Sequence, residues 1–260
     1  MTLKRFLIFG DSKLNRKLFF LLSTVFLLSP FLFSQDYSNT QFFKAIIEGN
    51  VAEMKNLVSQ GVDVNLKNNK GVPALNVAVL TKQFESVKFL LENGADVNIK
   101  DELMGETPLM DASNFSTIPI IELLLDKGAS IDFGTPFGWT ALMYAAERGK
   151  IESVKVLVKR GANVNAKAYN DITGLMGAAR HGHTECVKIL LENGAFVNAR
   201  DDGGMTALMM AAKRGYIGCI KLLLAKGALT TTRNKDGKTA LDLASEKQKI
   251  EVVKILKNLK

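Results

Sequence analysis

The sequence predicts an all-α fold: a solenoid of seven helix–turn–helix units in a single row. Three regularities predict it. A short string recurs at a fixed interval, as TPLMDAS at 107, TALMYAA at 140, TGLMGAA at 173, TALMMAA at 206 and TALDLAS at 239, each 33 residues after the last. Counting back, PALNVAV begins at 73, which is 34 residues before 107, and TQFFKAI begins at 40, another 33 back. Apolar residues also hold fixed places after each start. Phe42, Leu75, Leu109, Leu142, Leu175, Leu208 and Leu241 stand at place 2, and Ala45, Ala78, Ala112, Ala145, Ala178, Ala211 and Ala244 at place 5. Leu57, Leu90, Leu124, Leu157, Leu190, Leu223 and Leu256 stand at place 17. Finally, the first six units carry a glycine at place 21: Gly61, Gly94, Gly128, Gly161, Gly194 and Gly227.

Within a unit, the elements follow in order. A threonine opens six of the seven units and is a natural N-cap, and Pro108 suits a first helical position. Leucine and alanine three apart then share one helix face, and the small alanine lets a neighbouring helix come close. Gly149, Gly182 and Gly215 are placed to end this first helix in a left-handed conformation. The runs KVLV, KILL and KLLL predict a second helix, with Val154, Leu157, Val187, Leu190, Ile220 and Leu223 on its apolar face. The place-21 glycine ends it, and a polar turn follows, as in 94–98 and 161–165. A lone unit cannot bury its apolar face, so the units must stack and the end units must turn a polar side outward. The lysines and glutamates of 242–260 suit such a cap. The first unit, with Phe42, Phe43, Ile46 and Ile47, is apolar for that role and is expected to pack under a short lead-in at 35–39.

These residues and their register resemble the ankyrin-repeat family, whose pattern runs roughly D-x-x-G-x-T-P-L-H-x-A-A, then a second helix, then G-A-D-V-N. The resemblance covers 40–260. It implies a curved solenoid with β-hairpin-like fingers projecting at one edge, and partner binding on the concave face lined by finger tips and first-helix ends. Departures from the pattern are local. Met110, Met143, Met176 and Met209 replace the family histidine, Asp171 replaces a finger glycine, and Lys82 and Ser116 replace the helix-ending glycine. One extra residue between Gly94 and Thr107 predicts a longer finger there, and the second and third units are expected to be the least regular.

Composition sets the outer limits. At 47% hydrophobic and 23% charged, the chain of 260 residues is ordinary for a folded protein. Of the formal net charge of +8, residues 1–34 supply half, with Lys4, Arg5, Lys13, Arg16 and Lys17 set against Asp11. The mildly basic remainder argues against nucleic-acid binding. Residues 18–33 carry no charge, and Ser34 follows. A basic start, an apolar middle and a small residue make the grammar of a secretory signal at 1–34. The apolar run is shorter than the roughly 20 residues of a membrane span. An uncleaved anchor at 18–33 is the competing reading. Either way the repeats are expected to be exported, to the periplasm or as a secreted protein.

No catalytic signature is present: there is no GxSxG, GxxxxGK[ST], HExxH or strand-linked GxGxxG. No cofactor is expected, and His181 and His183 lack the further ligands that a zinc site needs. His183 reads as a helix-capping residue and His181 as an exposed one. Cys186 and Cys219 both stand at place 13 of adjacent second helices. Packed helices lie about 8–10 Å apart, beyond the roughly 7 Å Cα separation that a disulfide tolerates. Two free, partly buried thiols are therefore expected, acting as small apolar filler.

Carried over place by place, the resemblance puts Leu103, Met104 and Glu106 in the long finger. Phe137 and Trp139, with Phe133 at the base, fall in the next finger, Tyr169 and Ile172 in the one after, and Met205 beyond. The matching helix ends are Asn114 and Phe115, Glu147 and Arg148, Arg180 and His181, and Lys213 and Arg214. An aromatic centre beside arginines is what protein interfaces favour. The resulting expectation is a monomeric, non-enzymatic module that binds a protein bearing an acidic and apolar patch, anchored by Trp139, Phe137, Tyr169 and Phe115. Two other readings stay open: a periplasmic scaffold or chaperone-like factor, and a thiol-based redox factor using Cys186 and Cys219.

Overall fold

Leucine at place 2 (Phe42 in the first unit) and alanine at place 5 build the first helix of every unit into one wall, because all seven alanines are buried and their single methyl keeps the helices close. The computed structural model describes residues 37–258, so the expected leader at 1–34 lies outside the described residues. Seven helix pairs follow one another: α1 (Tyr37–Glu48) with α2 (Val51–Ser59), α3 (Ala74–Leu80) with α4 (Phe84–Glu92), and α5 (Pro108–Phe115) with α6 (Ile118–Asp126). Then come α7 (Ala141–Glu147) with α8 (Ile151–Lys159), α9 (Gly174–His181) with α10 (Thr184–Glu192), α11 (Ala207–Arg214) with α12 (Ile217–Ala225), and α13 (Ala240–Glu246) with α14 (Ile250–Lys257). First helices pack on first helices and second on second, each on its neighbour in the row. No strand forms among the described residues, and none of their helices is long and apolar enough to cross a membrane.

The core is one continuous seam. Every place-17 leucine from Leu57 to Leu256 is buried, as are Val154, Val187 and Ile220. Each fully buried leucine contributes roughly 1.5–3 kcal/mol through apolar burial. The predicted threonine caps are present. Thr107, Thr140, Thr173 and Thr206 Oγ1 accept from the amides of Met110, Met143, Met176 and Met209 at 3.3–3.4 Å, and Thr239 accepts from Asp242 at 3.2 Å. The first helix of the first unit runs from Tyr37, three residues before Thr40.

Glycine at place 9 has two duties. Gly149 adopts φ +66°, and a Cβ on it would meet the His183 ring at 2.5 Å. Gly182 adopts φ +78°, and its Cβ would meet the Tyr216 ring at 2.6 Å. The place-10 side chain of the next unit thus rests on the bare helix end. From there the His183 Nε2–H donates to the Glu147 carbonyl at 2.9 Å, and Gln83 Nε2 does the same to Ile47 at 2.8 Å. His183 therefore caps the preceding unit's helix, not its own, whose N-terminus receives no side-chain bond from it. Lys82, Ser116 and Gln248 hold the same place with φ of 52–59°, and Asp171 does so in its finger.

A non-glycine residue in this left-handed region costs roughly 1–2 kcal/mol. Lys82→Gly is therefore expected to raise stability by up to about 1 kcal/mol, less than that cost because glycine gains freedom in the unfolded chain. Equilibrium urea unfolding checks it, and a lower midpoint would contradict the strain.

Candidate functional site

Six polar turns between the units form the fingers. Five close over equal lengths, with Asn68, Thr135, Ala168, Asp201 and Asn234 donating their amides to the carbonyls of Val72, Trp139, Ile172, Met205 and Lys238 at 2.8–3.0 Å. The sixth, between Asp101 and Glu106, is one residue longer, as expected from the insertion. Asp101 Oδ1 gathers its loop by accepting from the amides of Leu103, Met104 and Gly105 at 2.7–3.0 Å. Pairing of the hairpin type is confined to the bridges Lys67–Pro73 and Lys167–Thr173. Four of the five junctions between adjacent fingers are joined backbone to backbone, through Glu102 to Gly71, Tyr169 to Phe137, Asp202 to Asn170 and Lys235 to Gly203, and at the other Lys100 Nζ donates to the Gly134 carbonyl at 3.3 Å, so the fingers form a ridge.

On this ridge Leu103, Met104, Phe137 and Tyr169 are exposed, with Leu103 at 63% and Tyr169 at 61%. Phe133 is exposed too, but Lys100 Nζ sits 3.9 Å over its ring. Arg148, Arg180, Lys213 and Arg214 are exposed along the first-helix ends, while Phe115 is half-buried. Several expected surface residues turn inward instead. Asn114 is buried beside the helix core, and Met205 is half-buried, packed on the core with the Asn234 amide 3.5 Å from its sulfur. His181, expected to be exposed, is half-buried with Nε2 3.3 Å from Glu147 Oε1.

Four of the expected residues from separate stretches meet: Trp139, Glu147, Ile172 and Arg180 line one hollow together with Met176, Gly177 and Met210. Trp139 is half-buried, and its ring lies 5.5 Å from that of Tyr144. Glu147 forms one wall. Burial pulls its carboxyl upward, but the hydrogen bond and charge of His181, with Arg148 and Arg180, outweigh burial and hold it below the usual range. Gly177 and Met210 are not among the residues singled out from sequence, and Met176 is singled out there only as a departure from the family pattern. The signal was there: place 4 reads Lys44, Val77, Asp111, Tyr144, Gly177, Met210 and Leu243, and only the fifth unit lacks a side chain. Beyond the hollow a wider groove is lined by Lys213, Lys235, Lys238 and Lys247, against Asp236 and Glu246.

Next to the hollow lies a buried polar cluster. Asp111 Oδ2 accepts from Asn76 Nδ2 at 2.8 Å inside the wall of first helices. Burial, aided by the nearby Glu106, pushes the Asp111 carboxyl well up. Glu106, expected at a finger tip, instead turns inward to hydrogen-bond Tyr144, and burial raises it too. Tyr144 is pushed up by burial and by the Glu106 charge.

The thiols of Cys186 and Cys219 are free and fully buried, more so than the sequence suggested. Burial first, then the charge of Glu185, pushes Cys186 up to about 11. Burial also raises Cys219, against a 3.5 Å contact with Thr184 Oγ1. Thiols of this kind carry little thiolate at neutral pH and react slowly. Among the described residues no group of three or more histidine, cysteine, aspartate or glutamate side chains is placed to hold a metal.

Stacked helix pairs, joined fingers and a mixed aromatic and basic face define a repeat solenoid of the kind that presents a surface to other proteins. The family model for "Ankyrin repeats (3 copies)" matches residues 20–101, 100–168 and 169–260, and the chain belongs to the ankyrin-repeat family. It is similar to the human ASB11 ankyrin repeat domain, whose crystal structure superposes with a TM-score of 0.74 at 32% identity, covering 84% of this chain and 97% of that one. It is 37% identical over 111 residues to the probable 26S proteasome regulatory subunit p28 of Saccharomyces cerevisiae, which is 42% of this chain and 48% of that protein. It is 37% identical over 81 residues to the B-cell lymphoma 3 protein homolog of Mus musculus, which is 31% of this chain and 18% of that protein. The matched part thus spans about half of these curated relatives or less. Ankyrin repeats make this chain a protein–protein interaction module.

Two measurements follow from this chemistry. A carboxyl raised in the folded state binds its proton more tightly folded than unfolded, so its contribution is full below the unfolded value of 3.8 and is lost as pH rises through the raised one. Asp111→Asn is therefore expected to be more stable than the parent at pH 7, and thermal unfolding should show that advantage vanish below about pH 4. A variant no more stable at pH 7 would contradict the assignment. Both cysteines are expected to react with a thiol probe only slowly until denaturant is added; rapid labelling of the native chain would restore the redox reading.

Proposed function

We propose that the chain is an exported, non-catalytic binding module that takes a partner protein on the face shared by the fingers and the first helices. One observation carries this reading: Trp139, Ile172 and Arg180, drawn from a finger tip, a finger base and a helix end, converge on one hollow. A tryptophan with one face open and an arginine at its edge is the composition in which interface energy concentrates. The exposed Leu103, Met104, Phe137 and Tyr169 extend the apolar strip along the ridge. Arg148, Arg180, Lys213 and Arg214 favour a partner whose apolar patch is edged by carboxylates, and they speed its encounter. Export rests on the sequence grammar of residues 1–34.

Crosslinking in the native host, followed by identification of the captured protein, supplies the partner. Trp139→Ala should then weaken binding by about tenfold or more, measured by calorimetry, with the helical circular dichroism unchanged. A partner that binds Trp139→Ala as tightly as the parent would remove this face from consideration. Repeats recovered only from the cytoplasm, with the leader intact, would remove export.

A further inference from the structure

Unit three departs from its neighbours by burying acid. The residue just before the unit start is apolar in units two, four, five and six, as Val72, Trp139, Ile172 and Met205. Place 4 is apolar or aromatic in units two, four, six and seven, as Val77, Tyr144, Met210 and Leu243. Unit three carries Glu106 and Asp111 at these two places. Asn76 of α3 joins them: its Nδ2 donates to Asp111 Oδ2 at 2.8 Å and to the Glu106 carbonyl at 3.4 Å. The groups that act on the pair come from every side. Asp101 stands in the same finger, and Tyr144, Glu147 and Arg148 stand on α7 and at its end. Arg148 is the cation that acts on Glu106, and burial outweighs it. Two carboxyls held close together and away from water cannot both ionise in place without a large cost.

The pair also sits at a mechanical junction. The Glu106 carbonyl accepts from the Asp101 amide at 3.1 Å, which closes the base of the long finger. The Glu106 carboxyl is hydrogen-bonded to Tyr144 of the next unit, and the Tyr144 ring lies 5.5 Å from that of Trp139. One residue thus ties the finger to the wall of first helices and, through Tyr144, to the tryptophan.

We propose that Glu106 and Asp111 form a proton-operated latch on the finger at 101–106. With protons bound, Glu106 stays tucked against Tyr144 and the finger base stays closed. As pH rises and both carboxyls ionise, repulsion drives the Glu106 carboxylate out to water, the finger loosens, and Tyr144 shifts against Trp139. The sign follows from burial. Both carboxyls are raised, so the latched state is fully favoured below their ordinary values of 4.5 and 3.8 and is lost as pH rises through the raised ones. One consequence rests on the binding face argued above: Leu103 and Met104 stay in line with Trp139 only while the latch is closed, so partner affinity falls as pH rises.

Trp139 is the only tryptophan of the chain, so its emission reports on the latch in the full chain with no partner present. Titration from about pH 3 to about pH 9 is expected to change that emission with a midpoint above the ordinary carboxyl values. Across the same midpoint the amides of Leu103, Met104 and Gly105, which Asp101 Oδ1 gathers, should lose about tenfold or more of their hydrogen-exchange protection. Glu106→Gln and Asp111→Asn each leave one carboxyl with no charged neighbour in the pair to repel it. Both should keep the low-pH emission and protection throughout. A parent whose emission and finger protection ignore pH would overturn the latch. So would a transition that both variants retain at an unmoved midpoint; its loss in His181→Asn would assign it to the pair His181 makes with Glu147. A latch that titrates while partner affinity stays constant would detach it from binding and leave the latch standing. A partner indifferent to Trp139→Ala would remove the face and leave the latch to its own test.

Discussion

Seven buried alanines, from Ala45 to Ala244, set the distance at which one first helix can approach the next. A larger residue there would push neighbouring units apart, because packed interiors have no slack to absorb it. That spacing propagates. It brings Leu90 of one pair and Leu124 of the next into a single core, and it lets finger tips reach a neighbour's backbone at four of the five junctions. Stability is therefore shared between units: each supplies one side of two interfaces and has no complete core of its own.

The same dependence operates at the helix ends. Glycine at place 9 turns the chain, and the next unit's side chain rests where its Cβ would be. His183 shows how chemistry follows from that position. Burial lowers its affinity for a proton, the Glu147 carbonyl it donates to works the other way, and burial is the larger influence. The neutral ring acts as a structural donor, a role that needs the neighbouring unit in place. Units two and three manage without the glycine, through Lys82 and Ser116 in the left-handed region, and so keep the turn at a local energetic cost. They also hold the buried polar residues Asn76, Asp111, Ser113 and Asn114, which fits the expectation that they are the least regular.

The functional face arises where the periodic pattern is broken. Repetition gives every unit the same apolar inner side, which identifies the fold and discriminates nothing. Individual character comes from the places free to vary: the aromatic residues of the fingers, the arginines at the helix ends, and the single glycine at place 4. Charge is arranged around this face with one carboxylate, Glu147, held ionised by His181 and two arginines. Two others, Glu106 and Asp111, are drawn inward, where burial favours their protonated forms.

The sequence by itself determined the repeat register, the threonine caps, the buried leucines and alanines, the longer finger and the unpaired thiols. All of these follow from residue type at a fixed place in a repeat, and a linear pattern records that fully. It also marked Trp139, Ile172 and Arg180 as surface candidates, since each sits at a variable place. Only the tertiary structure decided that these three share one hollow with Gly177, that Glu106 and Asn114 face inward, and that His181 and His183 both engage Glu147, one at its carboxylate and the other at its carbonyl. Such contacts join side chains about 30 residues apart across two units. Their geometry depends on how far the units approach and rotate against each other, a quantity set by packing and absent from any single repeat.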